Sequence, residues 1–367
     1  MRIAGAVLER SGDFLPYAAS RPLRVREVEL DATGPSEVLV RIDLASVCHS
    51  DRSGVNGSRS IPLPMLLGHK AAGIVEEVGE DVTLPIGAHV VMTFLPRCGT
   101  RTDCPNNGRT RCAAGGAANG SDLLLGGAGR LLDGDAPVHH NLGVSGFATH
   151  AVVDHGSVVR VDQGVPERVA AMLGGAVLTG GGAVLNAGPP EPGQTLIVVG
   201  LGGVGVAALL TGFALQDVRV IGIDATADKV RLALELAAER AYPADEVPDG
   251  LEAEVVVEAI GRTGAFEGAV AMTTPGGRMV TVGLPAPDDL ATVSPLALVA
   301  GGRSLIGCYL GSSVPPTRHP RLRRPEAPRP AAGRAADQRR HRAPGHQPGH
   351  GRLGRRTAMR QVITFDP

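Results

Sequence analysis

The sequence predicts an α/β protein of two domains, in which a β-rich domain is followed by a domain with a parallel, doubly wound sheet. The length of 367 residues suggests two domains, since one domain takes roughly 150 residues. The first half contains short β-branched runs bounded by Gly, Pro and Asp, which is typical of strands and loops. From about Gln194 onwards, apolar strands alternate with helical patterns, and this alternation indicates a parallel sheet.

The predicted elements follow from these patterns in chain order. In the first half, residues 38–42 and 72–78 are predicted strands. The second half is predicted to contain strands at 195–199, 218–223, 255–257 and 279–282, with helices at 204–214 and 229–240. The apolar stretch 195–215 is also the best candidate for a membrane span, but the glycines within it favour a strand, a turn and a helix.

The composition restricts both the core and the partners. With no Trp, three Tyr and six Phe, the core must be aliphatic, and a stacking platform for bases or sugars is not expected. The net charge is −1, so no overall field attracts nucleic acid or a membrane. No secretory signal is visible at the start of the sequence, and five cysteines without a signal indicate a reduced, cytoplasmic chain.

A glycine-rich motif follows the first strand of the second domain. Gly200-Leu201-Gly202-Gly203-Val204-Gly205 matches G-x-G-x-x-G, and Asp224 follows Gly205 by 19 residues at the end of the next predicted strand. Glycines at this place let the backbone approach a pyrophosphate, and the acid can bind a ribose 2′-hydroxyl but repels a 2′-phosphate. The motif therefore predicts NAD in preference to NADP. The alternative is an ordinary glycine-rich turn with a solvated aspartate.

Two groups of residues have side chains that suit zinc. Cys48 and His69 are ligand types found at catalytic zinc, which takes three protein ligands and leaves one position open. Taken singly, one Cys and one His are more often ordinary core or loop residues. Cys98, Cys104 and Cys112 lie within fifteen residues and are similar to a four-cysteine zinc lobe that lacks one ligand.

Together these motifs resemble the zinc-dependent alcohol dehydrogenase branch of the medium-chain dehydrogenase/reductase family. The resemblance covers about residues 1–318 and resumes at Thr357. It implies a GroES-like catalytic domain, residues 1–176 completed by 308–367, around an inserted Rossmann domain of residues 177–307. It also implies NAD and zinc as cofactors, a small alcohol or aldehyde as substrate, and a homodimer or homotetramer.

The resemblance also implies roles for individual residues. Cys48 and His69 match two catalytic zinc ligands, Ser50 matches a proton relay, and Asp51 matches an acid that orients a ligand. The structural-zinc positions correspond to Cys98, Cys104 and Cys112. The implied cofactor-binding residues are His49, Thr179, Gly200, Gly202, Gly203, Val204, Gly205, Asp224, Lys229, Val282, Gly283, Leu284 and Arg360.

The sequence departs from the family pattern at three metal-site positions. Gly175 stands where the third catalytic ligand is a cysteine, Lys70 replaces the acid after the ligand histidine, and Arg101 replaces the second lobe cysteine. A glycine offers no side-chain ligand, and an arginine repels zinc. Each substitution corresponds to one base change, so relaxed selection or a sequence error accounts for the set more simply than a new chemistry.

The combined interpretation is a zinc-type, NAD-dependent alcohol dehydrogenase whose metal site is degraded. One alternative is a zinc-free NAD(P)H-dependent reductase or quinone oxidoreductase of the same fold. The other is a non-enzymatic protein that binds a nucleotide or a nucleic acid.

Residues 319–356 differ from the rest of the chain. This block holds eleven Arg, four His and six Pro, but only Leu322 and Leu353 as large apolar residues. No packed element is predicted within it. One interpretation is a basic arm that binds nucleic acid, and the other is translation out of frame, because family-like sequence continues on both sides.

Overall fold

Three sheets organise the fold in the computed structural model, which describes residues 1–99, 104, 110–286, 288–314, 340–343 and 361–365. The strands up to residue 160 are β1 (Arg2–Leu8), β2 (Leu23–Leu30), β3 (Glu37–Val47), β4 (Met65–Leu66), β5 (Ala71–Val78), β6 (His89–Met92), β7 (Leu131–Asp133), β8 (Ala136–Pro137), β9 (His139–His140), β10 (His150–Asp154) and β11 (Val158–Arg160). The later strands are β12 (Thr195–Val199), β13 (Arg219–Asp224), β14 (Arg240–Pro243), β15 (Ala253–Glu258), β16 (Thr273–Thr281), β17 (Ser304–Gly307), β18 (Arg340–Ala343) and β19 (Gln361–Phe365).

The helices lie between these strands. They are α1 (Tyr17–Ser20), α2 (His49–Val55), α3 (Ala113–Gly120), α4 (Glu167–Met172), α5 (Leu178–Gly182), α6 (Gly203–Phe213), α7 (Ala227–Glu235), α8 (Thr263–Ala271) and α9 (Pro295–Gly301). π-helical turns at Leu173–Val177 and Ala183–Ala187 join α4 and α5 into one helical stretch, Glu167–Ala187.

Two mostly antiparallel sheets make up the β-rich part. Sheet A has the strand order β8-β7-β2-β1-β4-β9, and sheet B has the order β11-β6-β5-β3-β19-β18 with β10 also paired to β3. The long strand β3 is the centre of sheet B, because β5 lies along one edge while β10 and β19 share the other. The core beside these strands is aliphatic as predicted, with Tyr17 and Phe147 the two rings among its largest fully buried side chains.

Sheet C is the predicted parallel, doubly wound sheet. Its order is β14-β13-β12-β15-β16-β17, and every neighbouring pair is parallel. The chain runs outwards from β12 in one direction and from β15 in the other, so the strand order reverses between these two strands. In open parallel sheets, ligands bind at the carboxyl ends of the strands beside such a reversal. Val199 lies there, paired with Ile223 and Glu258.

Two predictions from the sequence are wrong in detail. The helix predicted over 229–240 ends at Glu235, because Ala237 takes a left-handed φ of 81° and the chain then enters β14. The prediction of no packed element in 319–356 is wrong for Arg340–Ala343, which forms β18 parallel to β19. Backbone pairing at a sheet edge does not depend on side-chain type, so the composition of this block could not reveal it.

The most apolar helical stretch is part of the core. Among the described residues, Glu167–Ala187 is the one helical stretch long and apolar enough to span a membrane, and 67% of its most apolar window is buried inside the protein. It packs against α6 through Gly180, where a Cβ atom would overlap the carbonyl oxygen of Val204. On another side Gly182 packs equally closely on Gly311. The domain boundaries at 176/177 and 307/308 stay a prediction.

Candidate active site and cofactor cleft

The glycine-rich turn lies directly after β12, at the reversal point of sheet C. Gly200 has a φ of +93°, and its amide donates to the carbonyl of Ile223 at 2.7 Å. A Cβ atom on Gly205 would overlap the carbonyl oxygen of Gly200, so the turn requires glycine. Helix α6 begins at Gly203 after Gly202 as its N-cap. Its amino end, with unpaired amide groups, can accept the pyrophosphate of a dinucleotide.

Asp224 ends β13 beside this turn and is 6% exposed. One carboxylate oxygen accepts from the amide of Leu201 at 2.8 Å and the other from the amide of Thr226 at 2.9 Å. Lys229 pairs with the same carboxylate at 3.1 Å. The residue therefore holds the glycine-rich turn from the neighbouring strand, in addition to its predicted contact with ribose.

Glu258 is a residue at this edge that the sequence interpretation missed. It ends β15, is 1% exposed, and accepts from the amides of Ile260 and Gly261, both at 2.7 Å. Its other oxygen accepts from the hydroxyl of Thr281 at 2.7 Å. The carboxylate thus fastens together the loops after β15 and β16. The signal available in the sequence was an acid directly after three valines, at the end of a buried strand.

The remaining predicted cofactor residues lie around the same edge or outside the described residues. Gly283 and Leu284 follow β16, and Gly283 packs against the amide of Gly261. Thr179 lies on α5, next to Gly180 at the contact with α6. The other predicted positions are Val282 in the same loop, His49, which is exposed at the start of α2, and Arg360, which lies outside the described residues.

The four predicted catalytic residues come together at the start of α2. Asp51 accepts from the amide of Cys48 at 2.7 Å, and its other oxygen lies 2.9 Å from Nδ1 of His69. Nε2 of His69 lies 3.2 Å from the Ser50 hydroxyl. Burial by itself lowers the pKa of His69, but the Asp51 carboxylate offsets this, so the pKa lies above its ordinary value. Ser50, His69 and Asp51 therefore form a continuous hydrogen-bonded chain.

Lys70 and Gly175 meet beside this chain. Lys70 is 5% exposed, and its Nζ lies 3.1 Å from Sγ of Cys48. A Cβ atom on residue 175 would overlap Cδ of Lys70 and lie 2.5 Å from Cε and 3.0 Å from Nζ. The lysine side chain therefore fills the space that any side chain at position 175 would need.

A cavity of about 340 Å³ opens onto Ser50, Asp51 and His69. The walls combine apolar and polar side chains, namely Arg59, Ile61, Pro62, Met65, Leu67, Asn119, Asp122, Asn141 and Leu142. Phe94 stands edge-on to His69 at 5.6 Å between ring centroids, and Tyr309 stands edge-on to Phe94 at 5.8 Å. A mixed cavity of this size suits a small organic substrate. The residues of its walls were not predicted, because they come from segments far apart in the chain.

The three predicted lobe cysteines converge. The sulfur atoms of Cys98, Cys104 and Cys112 lie within 4.8 Å of one another. The amide of Gly99 donates to Sγ of Cys104, and the amide of Gly115 donates to Sγ of Cys112, each at 3.4 Å. Burial raises the pKa of the Cys104 thiol. Position 101 lies outside the described residues.

Comparison with known proteins decides the family. The family model described as the alcohol dehydrogenase GroES-like domain matches residues 34–163, and the model described as zinc-binding dehydrogenase matches residues 203–323. The chain belongs to the zinc-dependent alcohol dehydrogenase branch of the medium-chain dehydrogenase/reductase family. The GroES-like and Rossmann-type fold expected from the sequence is thereby confirmed.

Solved structures of similar proteins have the same fold. An alcohol dehydrogenase zinc-binding domain protein from Burkholderia ambifaria is 26% identical, with a TM-score of 0.87 and full coverage of both chains. A benzyl alcohol dehydrogenase from Acinetobacter calcoaceticus is 24% identical, with a TM-score of 0.85 and full coverage of both chains. An acetophenone reductase from Geotrichum candidum, solved with NAD, is 20% identical, with a TM-score of 0.72 and coverage of 99% and 97%.

The two zinc sites expected in this dehydrogenase family differ in how well the residues suit the metal. We call the place where Cys48, His69, Lys70 and Gly175 meet the catalytic corner. Two of its side chains, Cys48 and His69, are zinc donors, while the buried ammonium of Lys70 lies against the thiol of Cys48. Zinc takes three protein ligands at a catalytic site, and a neighbouring cation repels it. The corner does not fit zinc. The lobe does fit a metal, because Cys98, Cys104 and Cys112 are soft donors that already converge.

Proposed function

We propose that this chain is an NAD-dependent oxidoreductase that interconverts a small alcohol and its aldehyde or ketone. One observation carries the proposal: the same helical stretch touches the catalytic corner at Gly175 and the glycine-rich turn at Gly180. Gly175 and Gly180 are five helical residues apart, which is about 7.5 Å along the helix axis. This short connection between the carboxyl ends of the sheet C strands and the Ser50–His69–Asp51 chain supports a nicotinamide and a substrate bound side by side.

The residues divide the work between binding and proton movement. The amino end of α6 would hold the pyrophosphate, and Asp224 would bind the adenosine ribose, which favours NAD over NADP. When bound, the nicotinamide would supply the hydride chemistry, taking up the hydride of the alcohol C–H bond in oxidation and returning it in reduction. The hydroxyl proton would leave through Ser50 to His69, whose ring Asp51 orients.

The first test is nucleotide binding to the full chain, followed by fluorescence of the reduced nicotinamide. We expect NADH to bind at least tenfold more tightly than NADPH, because the Asp224 carboxylate repels a 2′-phosphate. Turnover is then measured with a panel of small aldehydes and ketones. Equal affinities for the two nucleotides, or binding without turnover of any carbonyl compound, would contradict the proposal.

A second candidate is a zinc-free, nicotinamide-dependent reductase of the same fold. The observation that favours it is Lys70, whose ammonium lies where the catalytic corner would need a metal ligand. One measurement distinguishes this candidate from a zinc-dependent alcohol dehydrogenase: carbonyl reduction before and after exhaustive dialysis against a chelator. Loss of activity that zinc restores supports the zinc enzyme, and unchanged activity supports the zinc-free reductase.

The assembly and location of the chain are part of the same proposal. We propose a homodimer or homotetramer that acts in the cytoplasm, in line with the family and with the reduced cysteines. Light scattering during size exclusion tests the oligomeric state. A monomer at micromolar concentration would contradict it.

A further inference from the structure

We infer that Lys70 and Gly175 are a matched pair that replaces the catalytic zinc, so that the positive charge of this corner comes from a lysine side chain. The inference rests on the proposed oxidoreductase function and deepens it, because it names the cationic group of the site. It depends on contacts between residues 105 positions apart in the chain.

The first step concerns space. Any side chain at position 175 would overlap Cδ of Lys70, which lies in the middle of the lysine chain and cannot move aside as its tip could. Gly175 and Lys70 are both buried, so neither group can move into solvent without leaving the core. Glycine at 175 and lysine at 70 therefore depend on each other.

The second step concerns charge. Nζ of Lys70 lies 3.1 Å from Sγ of Cys48, and this sulfur is also the expected metal ligand. Lys70 directly follows His69 in the sequence, and its ammonium contacts Cys48 at the start of α2. The positive charge therefore lies beside the hydrogen-bonded chain of Ser50, His69 and Asp51. A positive charge here stabilises negative charge that develops on a substrate oxygen bound next to Ser50. Lys70 thus acts as a positioning and electrostatic residue of the corner.

The third step separates the two substitutions at this corner from accidental damage. A lost ligand alone would leave a cavity beside Cys48 and His69, and a lost acid alone would leave Cys48 and His69 able to bind metal. In this chain the lysine occupies the volume that the glycine leaves open. Two independent random changes would not be expected to fit each other in this way.

Stability measurements test the match in space. The set comprises Gly175→Ala, Lys70→Ala and the double variant in the full chain. We expect Gly175→Ala to raise the equilibrium constant of unfolding at least tenfold when Lys70 is present, and less than twofold when residue 70 is alanine. An equal effect in both backgrounds would overturn the matched pair.

Metal analysis tests the replacement of zinc. We expect the zinc content of the unmodified chain to be unchanged by Cys48→Ser, because the corner holds none. The double variant Lys70→Glu with Gly175→Cys should gain one zinc per chain, and Gly175→Cys alone should gain none. Zinc that is lost with Cys48→Ser, or a folded double variant that gains none, would overturn the inference.

Kinetics tests the role of the charge and keeps it separate from the proposed function. Lys70→Met preserves the length of the side chain and removes its charge. We expect the affinity for NADH to stay within twofold and kcat/KM for carbonyl reduction to fall at least a hundredfold, with no rescue by added zinc. If the unmodified chain binds no NADH, the proposed function fails. If binding and turnover persist in Lys70→Met, only the present inference fails.

Discussion

At the scale of single residues, the carboxylates at the strand ends organise the nucleotide edge. Asp224 is bound by the amides of Leu201 and Thr226 and by Lys229, so it has a structural duty besides its predicted contact with ribose. Replacement by alanine would remove both the hydrogen bonds that hold the turn and the contact with ribose. The amide side chain of Asn keeps one acceptor and the same shape but has no charge. It therefore separates the effect on cofactor preference from the effect on the structure of the turn.

The variant Asp224→Asn is therefore expected to keep its fold and lose cofactor preference. We expect the ratio of NADPH to NADH dissociation constants to fall at least tenfold, because the repulsion of a 2′-phosphate is gone. Fluorescence titration measures both constants. Asp228→Asn is the matched control, since its ion pair with Arg231 is exposed, and its ratio should not change. An unchanged ratio in Asp224→Asn would contradict the predicted role.

Asp154 is a buried acid that does not line the cavity, and it makes stability depend on pH. Burial raises the pKa of Asp154 from 3.8 to about 6, although the amide of Leu125 donates to its carboxylate at 2.9 Å. The folded protein therefore binds the proton more tightly than the unfolded chain. Its contribution to stability is fully present below pH 3.8 and is lost as the pH rises through about 6.

Asp154→Asn should remove this dependence. Between pH 7.5 and pH 5, the free energy of unfolding of the unmodified chain should rise relative to that of the variant by about 1 kcal/mol. Urea unfolding at the two pH values measures the difference. Parallel pH profiles for the two proteins would show that the carboxyl group titrates normally.

At the scale of secondary structure, α5 can pack closely against its neighbours because it has glycine at the contact positions. Gly180 lies against the carbonyl of Val204 in α6, so this contact determines how closely α5 approaches the glycine-rich turn. Gly180→Ala should destabilise the protein by about 2 kcal/mol and weaken NADH binding. Gly268→Ala in α8 is the control, because nothing lies within 4 Å of its added Cβ atom; it should be neutral or slightly stabilising. Thermal unfolding measures the stability of the two variants, and titration measures their affinity for NADH. Equal stability and equal affinity in Gly180→Ala and Gly268→Ala would refute the prediction.

The cysteine lobe is an element whose metal content can be tested separately. Three sulfur atoms converge there, and Arg97 connects the lobe to the chain after sheet C by donating to the carbonyl of Ser313 at 3.3 Å. We expect at most one zinc per chain, bound at this lobe, and its loss in Cys112→Ser. Elemental analysis of the two proteins decides. Retention of that zinc by Cys112→Ser would place it elsewhere.

Local and distant features differ in how well the sequence reveals them. The glycine-rich turn and the acid of β13 were predictable, because both follow from short-range pattern and spacing. The family motifs also identified Cys48, Ser50, Asp51 and His69, which the structure brings together. The contact of Lys70 with Gly175 and the duty of Glu258 were not predictable, because each depends on tertiary packing between segments far apart in sequence.

At the scale of the whole molecule, sheet B is completed from the other end of the chain. β19 pairs with β3, Val362 is buried, and Ile363 and Phe365 pack against the core. The connection between sheet C and β19 passes through residues 319–356, whose composition is unlike the rest. The fold therefore depends on the return of the chain to sheet B after this block.

The gene sequence tests the out-of-frame interpretation of that block. Residues 343–348 read Ala-Pro-Gly-His-Gln-Pro, and their codons read one base later permit Pro-Leu-Ala-Ile-Asn. This resembles the Leu-x-x-Ile-Asn-type sequence that the family has in this segment. We expect the +1 frame across 319–356 to be open and family-like, with a compensating shift near residue 355. Stop codons in that frame would refute the out-of-frame interpretation. The alternative, a basic arm that binds nucleic acid, would then be tested by the salt dependence of DNA binding.

The overlap of position 175 with Lys70 also bears on the history of the protein. With a cysteine at 175, a lysine at 70 would have no room for its present conformation. A glycine at 175, in contrast, would have left a small cavity that a folded chain tolerates at modest cost. If an ancestor of this chain held a cysteine at 175, steric constraint determines the order of events: the cysteine would have been lost before the lysine appeared or together with its appearance.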